Sequence, residues 1–256
     1  MSNRLPPPEE RLAAAVEQLS LALCDLPARA KRDARWRLSA LEWNLVGALN
    51  VAFVLAQIAA ERFEDAGSQP WPSDESQMGA HLLREFADAR DAANVSRFTM
   101  EGALRSLHSS GDLMAQLIRA SLLPCQSEYC MLSTMMNPAR QCSCSIDESR
   151  FSSLTAALTA YRDSPQYRYV AAATNRLKHR NLIGRHMSAR RHPDTGIVTI
   201  DQILRGFSHD GRRVCAASLC DLRWRSDRLR LLACSVVGEI ALLVEGAVPS
   251  GGVAKC

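Results

Sequence analysis

The sequence predicts a mainly α protein: an up-and-down helical bundle with a small β-hairpin insertion near its C-terminal third. Three observations carry this. Ala and Leu are abundant while aromatic residues make up only 5% of the chain, a mix that favours helices over sheets. Apolar residues recur at three- and four-residue spacing through most of the length. One short stretch is rich in β-branched residues, Ile197-Val198-Thr199-Ile200, and a turn signal, Asp210-Gly211, follows it.

Residues 1–8 read as a disordered lead, because the Pro run cannot continue a helix. Glu9–Leu26 carries Leu12, Val16, Leu19 and Leu23 at helical spacing and ends at Pro27. Asp33–Glu64 reads as one long helix whose apolar face is Trp36, Leu41, Leu45, Leu49 and Phe53. Its most apolar run, Leu45–Ala60, is shorter than a membrane span and carries Asn50 and Gln57, so a buried core helix and no membrane partner are expected. Ala66–Gln77 is a loop by composition. Gln77–Leu123 reads as a long helix with a break at Ser109-Ser110-Gly111, and Pro124 stops it. Residues 125–149 form a Cys-, Ser- and Met-rich connection. Phe151–Tyr161 is a short helix, and Ser164-Pro165 opens another, with Ser as N-cap and Pro in the first turn. That helix is expected to reach about Ala189. A turn at His192–Gly196 precedes two short strands, at Ile197–Ile200 and around Phe207, which place the hairpin near residues 197–215. Ser218–Gly246 closes the chain as a helix with Leu229, Leu232, Val236, Ile240 and Leu243 on one face. The expected organisation is one helical domain over 9–247 and a flexible tail at 248–256.

Charge is unevenly spread. From Arg162 to Arg230 fifteen Arg or Lys are set against six Asp, a balance of +9 in a chain of net charge +4, so the remainder carries −5. Such asymmetry suits a polyanion partner such as RNA. A compositional reading stands beside it, because only Lys31, Lys178 and Lys255 among the 31 basic residues are lysines, and codon bias alone raises the Arg count.

Several function classes are excluded or disfavoured. There is no Gly-rich phosphate loop and no dinucleotide fingerprint, so no nucleotide cofactor is expected. The opening MSNRLPPPEE has no apolar signal core, and nine Cys is an odd count, so reduced thiols and a cytoplasmic location are expected. Cys125-x4-Cys130 followed by Cys142-x-Cys144 lacks the paired Cys-x2-Cys knuckles of tight zinc sites, so no metal is expected. Cys24, Cys215, Cys220 and Cys234 sit among apolar residues and are expected to fill core space.

The strongest functional signal is Thr174–His186, TNRLKHRNLIGRH, which crowds Arg176, Lys178, His179, Arg180, Asn181, Arg185 and His186 into one segment. Unpaired charges are costly to bury, and histidine is the side chain suited to moving protons near neutral pH. Arg180 and His186 are the candidate catalytic pair: arginine binds a phosphate and its growing charge, and histidine serves as general acid or base on a ribose hydroxyl or a leaving oxygen. Asn181 would orient them, with Lys178, His179, Arg176 and Arg185 as substrate-binding candidates. On an uninterrupted helix, Arg180 and His186 stand six residues apart, about a third of a turn out of line. The competing reading has Asn175, His179 and Arg180 as a satisfied hydrogen-bond network inside a bundle.

Arg180-Asn181-x4-His186 resembles the motif of the HEPN superfamily, in which Arg and a polar residue are followed after a short gap by His. Asn175-x-x-Lys178-His179-Arg180 is similar to a string of uncharacterised bacterial HEPN-like proteins, and Leu107–Ile118 resembles an upstream helix of the same group, so the likeness spans about 80–245. The resemblance implies an all-helical domain, a homodimer, and a metal-independent endoribonuclease of a toxin or phage-defence type, with RNA as substrate and an antitoxin or other protein as partner. A non-catalytic helical module that binds a protein or nucleic acid is the alternative.

Overall fold

The computed structural model describes residues 6–68, 75–122, 131–132, 148–179, 183, 185–191 and 198–247. Helices dominate, as the composition predicts, and antiparallel β structure lies between the last two of them. In chain order the elements are α1 (Pro8–Ala22), a 3-10 turn (Leu23–Asp25), α2 (Ala28–Glu42), a π turn (Trp43–Gly47), α3 (Ala48–Ser68), α4 (Glu75–Leu122), α5 (Glu148–Asp163) and α6 (Pro165–His179). Strands β1 (Arg185–Arg191), β2 (Val198–Leu204), β3 (Phe207–His209), β4 (Arg212–Val214) and β5 (Ala217–Ser218) follow, and α7 (Leu219–Ala247) closes the chain. The N-terminal lead up to residue 5, the C-terminal tail and most of the Cys-rich connection lie outside the described residues.

Local chemistry explains the helix starts. Pro8 occupies the first turn of α1, where a missing N–H costs nothing. The Ser164 hydroxyl accepts the Tyr167 N–H at 3.1 Å, the N-cap read from the sequence. At α7 the Ser218 hydroxyl accepts the Asp221 N–H at 3.1 Å, and the Asp221 carboxylate accepts the Ser218 N–H at 2.9 Å, a reciprocal cap.

Three helix expectations need correction. α2 begins at Ala28, directly after Pro27, and the single helix predicted to Glu64 is interrupted by the π turn. The break predicted at Ser109–Gly111 does not occur, because tertiary packing holds α4 through it. Ser110 is buried there and shares a 2.6 Å hydrogen bond with the Tyr161 hydroxyl. A side chain on Gly111 would start 2.6 Å from the Tyr167 hydroxyl, so only glycine fits that close approach. Third, α6 stops at His179, ten residues short of Ala189, and the chain re-enters as β1.

The chain divides into two compact units. One comprises Met1–Val46, Ser106–Ala171 and Trp224–Cys256. Its core includes Leu19, Leu41, Leu107, Ile118, Leu158 and Val236, all fully buried. The same interior holds one charged side chain, Arg230, at 1% exposure. Its Nε donates to the Leu45 carbonyl of the π turn at 2.8 Å, and its second donor nitrogen reaches Glu9 at 2.6 Å and Asp227 at 2.9 Å. The Ser226 hydroxyl donates to the same carbonyl at 3.0 Å. A π turn disturbs the regular helical ladder, and here two donors from outside the helix converge on one of its carbonyls.

The other unit comprises Gly47–Arg105 and Ala172–Arg223. β1 pairs antiparallel with β2 along its whole length, β5 adds to the other edge of β2, and α3 lies against β2. β3 and β4 form the hairpin read from Asp210-Gly211, with φ of 47° and 74°, the double left-handed turn that matches strand twist. Thr174 on α6 is fully buried and donates to the Leu104 carbonyl at 3.2 Å.

Surface assignments also shift. Leu41, Leu45 and Leu49 are buried as predicted, but Trp36 is 62% exposed. Cys24, Cys215 and Cys220 are exposed rather than core filler, while Cys234 is half-buried and burial pushes its thiol up. Ala28–Ile58 is long and apolar enough to cross a membrane by length and composition, a test that core helices also pass.

Arg230→Ala should lower stability to urea by about 3 kcal/mol, since it takes one of two outside donors from the Leu45 carbonyl, leaves Glu9 and Asp227 without their cation, and opens a void. Glu9→Gln should cost at most about 1 kcal/mol, because that carboxylate is 44% exposed. Equal losses for the two would contradict this account of the cluster. A second expectation concerns alkaline pH. Burial pushes the Tyr161 phenol far above its usual value and does the same, less strongly, at Tyr167. A raised folded-state pKa gives stability that is complete below the unfolded value of about 10 and is lost as pH rises beyond it. Urea midpoints should therefore fall above about pH 10, and less steeply for Tyr161→Phe.

Candidate nucleic-acid interface

The polar segment singled out in the sequence spans two kinds of structure. Arg176 and Lys178 lie in the last turn of α6, which His179 closes. Lys178 is exposed, whereas Arg176 is half-buried and its Nε is shut off from solvent without a hydrogen-bond partner among the described residues. Arg180 and Asn181 lie outside the described residues, and only the backbone placement of Arg185 and His186 is described. Ile183 between them is buried at 1% exposure. His186 stands on β1 opposite Ile203, and Arg185 opposite Leu204.

The single-helix geometry expected for Arg180 and His186 is therefore overturned. α6 is described as far as His179, Arg180 lies outside the described residues, and His186 belongs to a strand. The reason is nonlocal. β2 carries Val198, Ile200 and Ile203, residues that favour a pleated ladder, and β1 supplies its partner strand. That pairing outweighs the helical preference of residues 182–191. The sequence did hold a signal: the His192–Gly196 turn ahead of Ile197–Ile200 is a hairpin signature whose first strand has to precede it.

Around this segment the second unit carries a concentration of cations. Between Ala172 and Arg223 ten Arg or Lys are set against four Asp. Arg205, Arg212, Arg213 and Lys178 are all exposed, and none of them is in an ion pair among the described residues. Arg212 and Arg213 occupy β4, opposite His209 and Ser208, just after the rigid turn. Of the acids nearby, Asp210 projects at the turn with 87% exposure and Asp221 caps α7.

Other basic residues counted in the charged run are committed elsewhere. Arg230 is sealed in the core of the first unit. Arg162 grips Asp163 through two 2.9 Å hydrogen bonds, and that guanidinium holds the Asp163 carboxyl below its usual range. Arg168 adds a 3.6 Å contact to the same carboxylate. The cations left outside ion pairs among the described residues are thus fewer than the raw count.

Among the described residues no group of His, Cys, Asp and Glu is arranged to hold a metal ion. Cys125, Cys130, Cys142 and Cys144 lie outside those residues. No protein-family model matches the chain, and neither the curated proteins nor the solved structures contain a significant match.

The cations of β4 and its approach are exposed and in no ion pair among the described residues. The triple variant Arg205→Ala/Arg212→Ala/Arg213→Ala should melt with the wild type, within about 0.5 kcal/mol per substitution. A larger loss in a thermal scan would assign these side chains to the fold instead.

Proposed function

We propose that this protein binds nucleic acid, with RNA as the ligand, through the basic surface of its β insertion. The observation that carries the reading is the set of exposed cations Lys178, Arg205, Arg212 and Arg213, none of them in an ion pair among the described residues. Cations held near a carboxylate are already neutralised. Unpaired ones release counterions when they meet phosphates, the main source of affinity for a polyanion. Arginine predominates, and its planar fork suits phosphate oxygens.

A HEPN-like, metal-independent endoribonuclease of a toxin or phage-defence type is the second reading, and one observation favours it. His186 stands on β1 and not on α6, so the single-helix offset that would have kept it from Arg180 does not apply. In this reading Arg180 binds the scissile phosphate, His186 transfers the proton, and Asn181 orients them, with His179, Arg176 and Arg185 supporting the substrate. A homodimer with two copies of the motif, and an antitoxin-like protein partner, belong to the same reading.

One titration separates the two. Binding of the full chain to single-stranded RNA should weaken linearly with log salt. The triple variant Arg205→Ala/Arg212→Ala/Arg213→Ala should flatten that slope by about 2, at about 0.7 per lost phosphate contact. An unchanged slope would remove the β insertion from the interface. In chelator, wild type should shorten the RNA, and Arg180→Ala or His186→Ala should leave it whole. RNA that stays intact with wild type sinks the nuclease and leaves the binding reading standing.

A further inference from the structure

We infer that Trp224, with Arg225 and Arg228, forms a stacking site for an unpaired base of single-stranded nucleic acid on the outer face of α7. The inference deepens the nucleic-acid reading and rests on it. α7 turns Leu222, Ser226, Leu229 and Ala233 inward, all buried. Trp224 stands off that stripe and keeps 51% of its surface exposed. Arg228 lies one helical turn further along, and Arg225 is adjacent, so the three share one stretch of helix surface.

Distances distinguish the two guanidiniums. Arg225 sits 4.2 Å from the Tyr169 ring centre and 5.9 Å from that of Trp224. The first is close cation–π contact, and the second is near its outer limit of about 6 Å. Arg228 approaches Trp224 at 6.0 Å. Tyr169 therefore fixes Arg225, while neither arginine is clamped on the indole, whose surface stays half open. The Nε of Arg225 is buried with no hydrogen-bond partner among the described residues, and Arg228 is in no ion pair among them. The neighbouring acid, Asp227, is bonded to the buried Arg230 at 2.9 Å.

An open indole flanked by two unneutralised guanidiniums matches one ligand chemistry closely. The ring offers a flat apolar face to a base, and the cations serve the phosphates on either side of it. Stacking of this kind tolerates any base, because every base has a π face, and it is denied to paired bases inside a duplex. An acidic peptide would use the cations and leave the ring idle.

The test compares wild type, Trp224→Ala and Trp224→Phe as full chains. The probes are a single-stranded oligouridylate of about twelve nucleotides and inorganic polyphosphate, which has the charge and no bases. Trp224→Ala should bind the oligouridylate roughly 10- to 100-fold more weakly, while its polyphosphate binding stays unchanged. Trp224→Phe keeps a ring and should keep most of the affinity. Should Trp224→Ala not fold, Trp224→Leu retains apolar bulk without a stacking ring and serves in its place. If wild type binds the oligouridylate and the ring-less variant binds it equally, the stacking site is wrong and the nucleic-acid reading survives. If wild type binds neither probe, that reading fails and takes this inference with it.

Discussion

A guanidinium buried to 1% exposure is the constraint on which the first unit depends. Arg230 cannot shed its proton, so its charge has to be met where it sits. Glu9 and Asp227 meet the charge, and the Leu45 carbonyl takes the remaining directed bond. Three separated stretches of sequence are thereby fixed at one point: the start of α1, the π turn, and the turn of α7 that carries Ser226, Asp227 and Arg230. An apolar residue at 230 would fill the space, but it would leave the π-turn carbonyl with Ser226 as its outside donor. Burial of an ion pair seldom adds much net stability, and its stronger effect is to penalise every arrangement that leaves the charge unmet. The π turn and the arginine therefore belong to one solution.

A different principle governs the second unit. Its β segment is organised by backbone pairing and by a turn whose two residues both adopt positive φ. That rigidity holds Arg212 and Arg213 at defined positions without ion pairs among the described residues. Charge that is not used for folding is available for a ligand, and this separates these residues from Arg162 and Arg230. The net charge of a segment is a poor guide for that reason. What matters is which cations remain after the fold has taken its share.

The helical class and two of the helix starts were the most legible features. Ser164-Pro165 and Ser218 act through bonds or steric limits within a few residues, so the local string suffices to read them, whereas the sequence places the starts at Pro8 and after Pro27 too late. The Asp210-Gly211 hairpin was legible for the same reason. β1 was not, because a strand is defined by its partner, and Arg185–Arg191 taken alone fits a helix as well as a ladder. Ser109-Ser110-Gly111 misled in the opposite direction. Small polar residues usually signal a break, yet here the space beside Gly111 admits Tyr167 and the Ser110 hydroxyl meets Tyr161.

The candidate site divides along the same line. Chemistry was visible in the sequence as residue types: arginines, two histidines and an asparagine crowded between Thr174 and His186. By itself the sequence determined a helical protein with capped ends, one tight hairpin and a basic C-terminal half. Only the tertiary structure decided that Arg230 is interior, that His186 sits on a strand, and that Trp36 and Trp224 face outward. Caps and turns are satisfied by neighbours a few bonds away. The burial of a charge or the choice between helix and strand is settled by groups that the chain brings together from far apart, and no local string records them.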